Sequence, residues 1–413
     1  MKKNSNGFKL LYGMKINTDP KKVEDFLARG VENIYPNKDF VRKQFLSGKK
    51  LRMYLGIDPT GPTLHMGHAV QLKKLKEFQA LGHEVVLLIG DFTAMIGDPT
   101  DKSATRKPLT RNQVLNNCKL YKKQASSFLK FGFGGAKLKF NSSWLGKMKF
   151  GDVLDLASKV TVQQMLERDM FKKRMGEGKP IHIHEFMYPL MQGYDSVAMD
   201  VDGEIGGNDQ TFNMLTGRNL MKEIAGKEKF VITTKLLEDT SGKKMGKTEG
   251  NMVSMLDSEF EMFGKVMSWT DGMMLPAFEI STDVSDEEIE KIRGELMGGI
   301  NPRDIKIRLA KEIVKVYYGE EKADNAEKNF VDTFKKGGLP ENLEETKTEV
   351  GKLLSEVLVE AKVVDSKSEF RRLVLENAVS DAVSGVKITD VNYKVEKEII
   401  LKVGKKRFIK ILI

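Results

Sequence analysis

The sequence is poor in cysteine and has no long uninterrupted apolar segment. Its single cysteine, Cys118, excludes an intramolecular disulfide framework and fits a reducing compartment, so we expect a cytoplasmic protein. Because no apolar run reaches the length that a bilayer requires, the sequence offers no membrane-spanning segment. The first residues, MKKNSNGF, lack the apolar core of a signal peptide, and we expect no targeting segment there.

Two common nucleotide-binding signatures are also missing. The sequence has no P-loop, and GFGG at 132–135 lacks the spacing of a dinucleotide fingerprint, so we predict a turn there.

Basic residues outnumber acidic ones: the sequence has 68 lysines and arginines and 58 acidic residues, which gives a net charge of +10. This balance favours a polyanionic partner, nucleic acid before a membrane surface. A chain of 413 residues is expected to hold two or three domains.

The most informative segment reads YLGIDPTGPTLHMGH, from Tyr54 to His68. We interpret it as the end of a strand, a turn rich in proline and glycine, and a helix with Thr63 as its N-cap. A helix N-terminus gathers unpaired N–H groups and the positive end of the dipole, so it suits a phosphate. His65 and His68 lie one turn apart and share the face toward that anion, and Gly67 between them lets a flat ring approach the backbone.

A second segment, GKKMGKTEGN at 242–251, contains three lysines and three glycines. Such a loop is mobile enough to close over a polyphosphate and charged enough to neutralise it. HMGH followed later by KMGKT resembles the two signatures of class I aminoacyl-tRNA synthetases, in that order. Their usual forms are HIGH and KMSKS, so both serines of the second signature are replaced here.

The first half of the sequence alternates strand-like and helix-like stretches. The apolar run VVLLI at 85–89 is typical of a parallel strand buried on both faces. IGDP at 96–99 is expected at a strand's carboxyl end, where doubly wound sheets bind their ligands. Residues 111–180 are predicted to be mostly helical, an insertion that carries a dimer interface in the class I relatives. The predicted fold class is α/β, with a Rossmann-like doubly wound parallel sheet, then a helical domain and a small C-terminal α/β RNA-binding module.

A third segment, YPLMQGYD at 188–195, predicts a helix with Pro189 near its first turn. On that helix Tyr188, Gln192 and Asp195 form one polar stripe among largely apolar residues. If the stripe faces inward, its polar groups must form hydrogen bonds with a partner. The alternative interpretation is that the stripe is exposed to solvent. The following IGGNDQ at 205–210 adds a glycine pair and a second Asp/Gln set at another strand end.

These segments together resemble tyrosyl-tRNA synthetases of the bacterial type, and they occur in that family's order over most of the chain. The resemblance implies a tyrosine–tRNA ligase that uses ATP, with Mg²⁺ accompanying the nucleotide, and with L-tyrosine and tRNA(Tyr) as further substrates. It also implies a homodimer. In the family pattern, Tyr54 and Asp195 contact the substrate phenol, Asp98, Tyr188 and Gln192 its ammonium group, and Gln210 lies near its carboxylate. Asp58, Gly67, Gly207 and Asp209 hold adenine and ribose, and His65, His68, Lys244 and Lys247 face the triphosphate.

Two alternatives stay open. Tryptophanyl-tRNA synthetases share the first two signatures, but they do not need the pair Tyr54 and Asp195. A synthetase-derived RNA-binding protein without catalysis is favoured only by KMGKT. His182 and His184, which alternate in the strand-like IHIHEF, would mimic a metal site with Glu185, but no further Cys or His is nearby, and we favour structural roles.

Beyond the loop the pattern becomes helical. Pro302 is predicted to open a helix whose apolar stripe includes Ile305, Leu309 and Ile313, in a region that reads the anticodon in the family. SKSE at 366–369 forms a predicted capping box before a further helix, and two alternating strands end the chain. This tail resembles a small RNA-binding module of a ribosomal protein, with RNA contacts implied for Arg371, Arg372, Lys405, Lys406 and Arg407.

The predicted domains follow from these segments. They are 1–235, catalytic with a helical insertion; 236–265, the KMSKS-type loop and connector; 266–345, helical anticodon recognition; and 350–413, the RNA-binding module.

Overall fold

The computed structural model describes residues 15–99, 108–238, 252–335, 343–382, 386–404 and 407–413. The chain divides into two compact units, residues 1–317 and 318–413. Within the described ranges, no helix has the length and apolar character that crossing a membrane requires. The domain boundaries at residues 235, 265 and 345 stay predictions.

A six-stranded sheet organises the first unit. Its order is β1-β6-β5-β2-β3-β4, and every neighbouring pair is parallel except β1 with β6. The chain runs outward from β2 through β3 and β4, and it then continues on the other side of β2 through β5 and β6. The predicted doubly wound sheet is therefore confirmed, with its switch point between β2 and β5. The strands are β1 (Val31–Tyr35), β2 (Arg52–Ile57), β3 (Glu84–Ile89), β4 (Lys137–Phe140), β5 (Gly203–Gly207) and β6 (Phe230–Thr234).

Helices connect these strands and continue to the end of the unit. Single 3-10 turns lie at Asn208–Gln210 and Asp271–Met273. The helices are α1 (Pro20–Ala28), α2 (Lys38–Leu46), α3 (Met66–Ala80), α4 (Thr93–Ile96), α5 (Arg111–Cys118), α6 (Tyr121–Ala125), α7 (Ser142–Leu145), α8 (Phe150–Ser158), α9 (Val162–Leu166), α10 (Asp169–Gly176), α11 (Ile183–Met199), α12 (Thr211–Ala225), α13 (Glu259–Met267), α14 (Met274–Ser281), α15 (Asp286–Met297) and α16 (Pro302–Tyr318).

The sheet is buried on both faces, as the apolar run at 85–89 predicts. One face packs against α3, which contributes Leu72, Leu75 and Phe78 to a shared core. The opposite face packs against the end of α11, where Met199 joins side chains of β2 and β3. Helices on both faces leave only the strand ends open to ligands.

Glycines allow α11 and α12 to lie close together. A Cβ atom added at Gly193 of α11 would lie 2.8 Å from a Leu220 methyl group and 3.1 Å from the backbone of Gly217. The 3.1 Å approach to backbone atoms is tighter than nine in ten real Cβ contacts, so glycine at position 193 favours this close packing of the two helices. This contact packs α11, which carries several predicted site residues, closely against α12.

The structure corrects three local predictions. Thr63 is not the N-cap of α3, because His65 occupies that position and accepts a hydrogen bond from the Gly67 N–H. The IHIHEF segment is not a strand, because α11 begins at Ile183, and Pro189 therefore lies inside the helix. The Glu185 carboxylate accepts from the His182 N–H at 2.9 Å, and this capping outweighs the alternating pattern. The segment 111–180 also supplies a strand, β4, whose short lysine-rich sequence hid it.

The second unit has its own sheet and core. Its sheet order is β7-β10-β9-β8, with β7 parallel to β10 and the other pairs antiparallel. Leu358, Phe370 and Leu401 are among its buried side chains. The two predicted C-terminal strands are confirmed, and so is the start of α16 at Pro302 in the first unit. The elements are α17 (Glu320–Lys335), β7 (Glu344–Lys347), α18 (Leu354–Glu360), α19 (Lys367–Leu375), β8 (Val379–Asp381), β9 (Ile399–Val403) and β10 (Arg407–Leu412).

Candidate active site

Polar side chains converge where the parallel strands end, around the switch point. Asp58 directly follows β2, Thr93 opens the short helix after β3, and Asn141 follows β4. Gln210 ends the 3-10 turn after β5. The carboxyl ends of parallel strands meet at one edge of the sheet, so these side chains lie together although they are distant in sequence.

Asp58 lies in a tight cage. Its carboxylate accepts hydrogen bonds from the Thr93 hydroxyl at 2.7 Å and from the Tyr188 hydroxyl at 2.8 Å. A Cβ atom at Gly90 would lie 1.9 Å from the Asp58 carboxylate, so glycine is required at that position. Burial raises the pKa of Asp58 to about 7, although the two hydrogen bonds act in the opposite direction. The predicted residues Asp58 and Tyr188 are therefore brought together, and Thr93 and Gly90 are additions that the motifs did not reveal.

Asp98 accepts hydrogen bonds from Arg168 and from Gln210. One carboxylate oxygen accepts from Arg168 at 2.9 Å, and the other accepts from the Gln210 amide at 2.8 Å. Arg168 is 6% exposed, and its guanidinium also lies over the rings of Phe171 and Phe212. The structure thus joins the predicted pair Asp98 and Gln210 and adds a buried cation. Sequence reasoning missed Arg168 because it lies 70 positions from Asp98 in a lysine-rich segment.

Asp195 lies deeper on α11 and is 2% exposed. It accepts hydrogen bonds from the Trp144 indole N–H at 2.7 Å and from the Asn141 amide at 3.2 Å. Burial raises the pKa of Asp195 well above its usual range, and the two donors oppose that rise. Trp144 and Asn141 follow β4, the strand that the sequence did not reveal.

Tyr54 and Gln192 connect to a fully buried network. The Tyr54 hydroxyl lies 3.0 Å from the Ser196 hydroxyl, and the Tyr54 side chain has no exposed surface. The Gln192 amide donates to Glu204 at 3.2 Å. Neither Ser196 nor Glu204 belongs to a recognised motif.

The HMGH segment forms the N-terminus of α3. The rings of His65 and His68 lie 4.0 Å apart between centroids, and the Nδ1 atom of His68 accepts from the His65 N–H at 3.2 Å. A Cβ atom at Gly67 would lie 2.9 Å from the His65 ring, which explains the glycine between the two histidines. The predicted pairing of the histidines at a helix N-terminus is present.

The chain returns to this helix end directly after the KMGKT loop. The Met66 N–H donates to the Val253 carbonyl at 3.0 Å, and the Met255 N–H donates to the Leu64 carbonyl at 2.9 Å. Ser254 forms a bridge with His65. Lys244 and Lys247 themselves lie outside the described residues. The segment after the loop is nevertheless tied to the HMGH segment by backbone hydrogen bonds.

Two of the predicted adenine and ribose residues, Gly207 and Asp209, lie at the end of β5 and in the 3-10 turn that follows it. Gly207 ends that strand, and a Cβ atom there would lie 2.5 Å from the Asp209 carboxylate, so a larger residue would require the Asp209 side chain to move. Asp209 is exposed at the carboxyl edge of the sheet. Of the four predicted adenine and ribose residues, Asp58, Gly207 and Asp209 lie at or directly after strand ends, and Gly67 lies at the N-terminus of α3.

The predicted RNA contacts separate into three groups. Arg371 and Arg372 are exposed on α19. Arg407 is engaged within its own unit, because it donates to Glu369 at 2.9 Å and to the Val363 carbonyl. Lys405 and Lys406 lie outside the described residues.

His182 and His184 lie at the start of α11, at the N-cap and in the first turn. The rings of His182 and His184 are stacked at 5.7 Å, and Glu185 accepts from Arg174 at 3.0 Å. In the described part of the chain, no group of three or more His, Cys, Asp or Glu side chains could hold a metal ion.

Comparisons with known proteins identify the family of this chain. The family described as tRNA synthetases class I (W and Y) matches residues 46–335. The chain is 47% identical over 403 residues to the tyrosine–tRNA ligase of Carboxydothermus hydrogenoformans, covering 94% of this chain and 97% of that protein. It is 44% identical over 389 residues to tyrosine–tRNA ligase 2 of Vibrio cholerae, covering 94% and 97%. Among solved structures, a C-terminally truncated mitochondrial tyrosyl-tRNA synthetase of Aspergillus nidulans matches with a TM-score of 0.63 and 25% identity, over 76% of this chain and 94% of that chain. The chain therefore belongs to the class I tRNA synthetases, in the family of tyrosine–tRNA ligases.

Proposed function

We propose that this chain activates L-tyrosine with ATP, forming tyrosyl-adenylate and pyrophosphate, and then transfers the tyrosyl group to the terminal ribose of tRNA(Tyr). The observation that carries the proposal is the convergence of Asp58, Asp98, Tyr188 and Asp195 at one edge of the sheet. An amino acid with a phenol needs carboxylates for its ammonium group and an acceptor for its hydroxyl. The curated relatives support tyrosine as the amino acid.

The ammonium group of tyrosine is proposed to bind beside Asp98. The oxygens of that carboxylate accept hydrogen bonds from Arg168 and Gln210, and its negative charge would attract the substrate ammonium group. Tyr188 and Gln192 complete this end of the site in the family pattern. Gln210, oriented by Asn213 at 3.0 Å, lies where the family contacts the substrate near its carboxylate.

The phenol is proposed to donate its hydrogen bond to Asp195. Trp144 and Asn141 hold this carboxylate as an acceptor, and a substrate without the hydroxyl would leave one of its lone pairs unsatisfied in a buried place. The hydroxyl of Tyr54, which is hydrogen-bonded to the Ser196 hydroxyl, is proposed to form a second hydrogen bond with the substrate phenol.

ATP is proposed to lie across the switch point. Asp58, Gly67, Gly207 and Asp209 would hold adenine and ribose, and the N-terminus of α3 would face the phosphates. A carboxylate oxygen of tyrosine attacks the α-phosphorus, the bond from that phosphorus to the bridging oxygen breaks, and pyrophosphate leaves with the electron pair. His65, His68, Lys244 and Lys247 would stabilise the charge that develops on pyrophosphate.

Mg²⁺ is proposed to enter as a complex with the nucleotide. Its preferred ligands are phosphate oxygens and water, with one or two carboxylates at most. The described residues provide no cluster that would hold the ion independently of ATP. No step of the proposed mechanism requires such a cluster.

Homodimerisation is proposed through the helical insertion. Phe150, Leu154 and Val162 expose between 54% and 77% of their surface there, Ile183 just after the insertion exposes 82%, and a second copy would cover these apolar side chains. We also propose that the enzyme works in the cytoplasm.

The test of the proposed function is aminoacylation. Purified full-length protein, a bacterial tRNA pool, ATP and Mg²⁺ should convert radiolabelled tyrosine into acid-precipitable aminoacyl-tRNA, and omission of ATP should abolish the signal. Charging with tryptophan instead of tyrosine would contradict the proposal. Binding of tRNA without charging of any amino acid would support the RNA-binding alternative.

A further inference from the structure

A buried ion pair lies next to the proposed tyrosine site, and the mechanism above does not use it. Lys229 has no exposed surface, Glu204 is 2% exposed, and the two side chains form an ion pair. Burying two charges costs more free energy than packing two apolar side chains of similar volume, so such a pair is weak evidence for stability. Its neighbours suggest what else it does.

Glu204 contacts the predicted tyrosine-binding residue Gln192. The Gln192 Nε2 atom donates to Glu204 at 3.2 Å. A carboxylate only accepts hydrogen bonds, so it fixes which end of the amide faces it. The Gln192 carbonyl oxygen must then point away from Glu204, as an acceptor for a substrate donor such as an ammonium group.

Lys229 contacts the other predicted end of the site. Its ammonium group donates to the Ser196 hydroxyl at 2.8 Å, and this hydroxyl lies 3.0 Å from the Tyr54 hydroxyl. The ammonium also lies 5.8 Å from the centre of the Tyr54 ring. One ion pair is thus linked to Gln192 through Glu204 and to Tyr54 through Lys229 and Ser196.

We propose that the Lys229–Glu204 ion pair positions the tyrosine site by holding the Gln192 carbonyl toward the substrate ammonium and by fixing Tyr54 through Ser196. The inference rests on the proposed function, because it takes the roles of Gln192 and Tyr54 from it. Lys229 and Glu204 are positioning residues, since both act through other side chains.

The ionisation of the network agrees with this arrangement. Burial lowers the pKa of Lys229, and the neighbouring Glu204 carboxylate opposes that change. Burial and the negative charge of Glu204 raise the pKa of Tyr54 well above its usual value, so its hydroxyl stays protonated and able to donate.

The test removes both charges together, so that no unpaired charge stays buried. The variant Lys229→Met with Glu204→Gln approximates the original volumes, and a pair that served only stability is often replaced by neutral side chains with little loss. Because the amide of residue 204 presents either a donor or an acceptor to Gln192, the orientation of Gln192 is no longer fixed. We expect the KM for tyrosine in pyrophosphate exchange to rise about tenfold. The KM for ATP and kcat should stay near wild-type values.

A double-mutant cycle separates positioning from general damage. In a Gln192→Met background the same neutral pair should raise the KM for tyrosine less, because the amide that it positions is gone and only the link to Tyr54 through Ser196 is left. Equal effects in both backgrounds would overturn the inference. If the protein that carries the neutral pair does not fold, the single variant Glu204→Gln is measured in the same two backgrounds. The same comparison of KM values for tyrosine then tests the inference.

A matched control lies at the opposite edge of the same sheet. Arg52 and Glu84 form an ion pair of 2.6 Å at the amino ends of β2 and β3. Arg52→Met with Glu84→Gln should leave both KM values unchanged. If the wild-type enzyme is active and the variant Lys229→Met, Glu204→Gln keeps the wild-type KM for tyrosine, this inference alone is overturned. A wild-type protein without tyrosine-dependent exchange would overturn the proposed function, and the inference with it.

Discussion

At the scale of single residues, the site consists of carboxylates whose charge is governed by their buried surroundings. Asp58 accepts two hydrogen bonds yet has a pKa of about 7, because burial outweighs both donors. The carboxylate is thus close to half protonated at neutral pH. The folded protein consequently holds a proton at Asp58 at pH values where the unfolded chain, with an ordinary pKa of 3.8, has released it.

This difference predicts a pH dependence of stability. A pKa that is raised on folding stabilises the protein at lower pH, and the contribution is lost as the pH rises toward 7. Between pH 5.5 and pH 8 the loss attributable to Asp58 should be about 2 kcal/mol in the free energy of unfolding, at about 1.4 kcal/mol per pH unit. Urea denaturation of the wild type and of Asp58→Asn at both pH values measures it. The wild type should lose more stability than the variant, and identical losses would show that Asp58 does not titrate in this range.

The motifs located the site, but they did not reveal most of the partners of its residues. Asp58, Asp98 and Asp195 could be named because they follow recognisable segments. Arg168, Trp144 and Lys229 could not, because the fold brings them to their partners from 70, 51 and 25 positions away. Only the order of the strands and the packing of α11 determine which distant side chains meet.

At the scale of elements, the site depends on how α3 and the loop after β6 meet. Residues 253–255 are hydrogen-bonded to residues 64–66, so the segment that follows residue 251 lies beside the histidines. The sequence predicted β3 from its apolar run and α16 from Pro302, because both signals are local. It failed at the start of α11 and at β4, where capping and pairing with β3 decided the structure.

The loop itself provides a prediction. Lys247→Ala should lower the rate of adenylate formation by about 100-fold, with little change in the affinity for tyrosine, because this lysine would stabilise charge that develops as pyrophosphate leaves. Transient kinetics of adenylate formation measure this rate. Gly246→Ser, which restores the usual serine, is the matched control and should retain the rate. A normal rate in Lys247→Ala would mean that the loop takes no part in catalysis.

At the scale of the whole molecule, the proposed adenylation site and the basic tail belong to different units. Each predicted tyrosine or ATP residue that the structure describes lies in the first unit, whereas Arg371 and Arg372 lie exposed on α19 of the second. Arg407, predicted as an RNA contact, binds Glu369 and so also holds its own unit together. The second unit has its own sheet and core, which fits a separable RNA-binding module.

Truncation tests this separation. Removal of residues 343–413 should leave tyrosine-dependent pyrophosphate exchange close to wild type and raise the KM for tRNA. In the intact protein, Arg371→Ala with Arg372→Ala should weaken tRNA binding and reduce its salt dependence, because phosphate contacts release counterions. Aminoacylation and tRNA binding at several salt concentrations provide the measurements. Loss of exchange in a folded truncated protein would show that the tail supports the catalytic unit instead.

The central claim is that the first unit activates tyrosine with ATP, and amino-acid-dependent exchange of labelled pyrophosphate into ATP tests it most directly. The purified protein is assayed with each of the twenty amino acids in turn, with Mg²⁺ and without tRNA. We predict exchange with tyrosine, and a rate with phenylalanine lower by about 100-fold or more, because the buried Asp195 would lack its phenol partner. Exchange with tryptophan alone, equal exchange with phenylalanine and tyrosine, or no exchange with any amino acid would contradict the account.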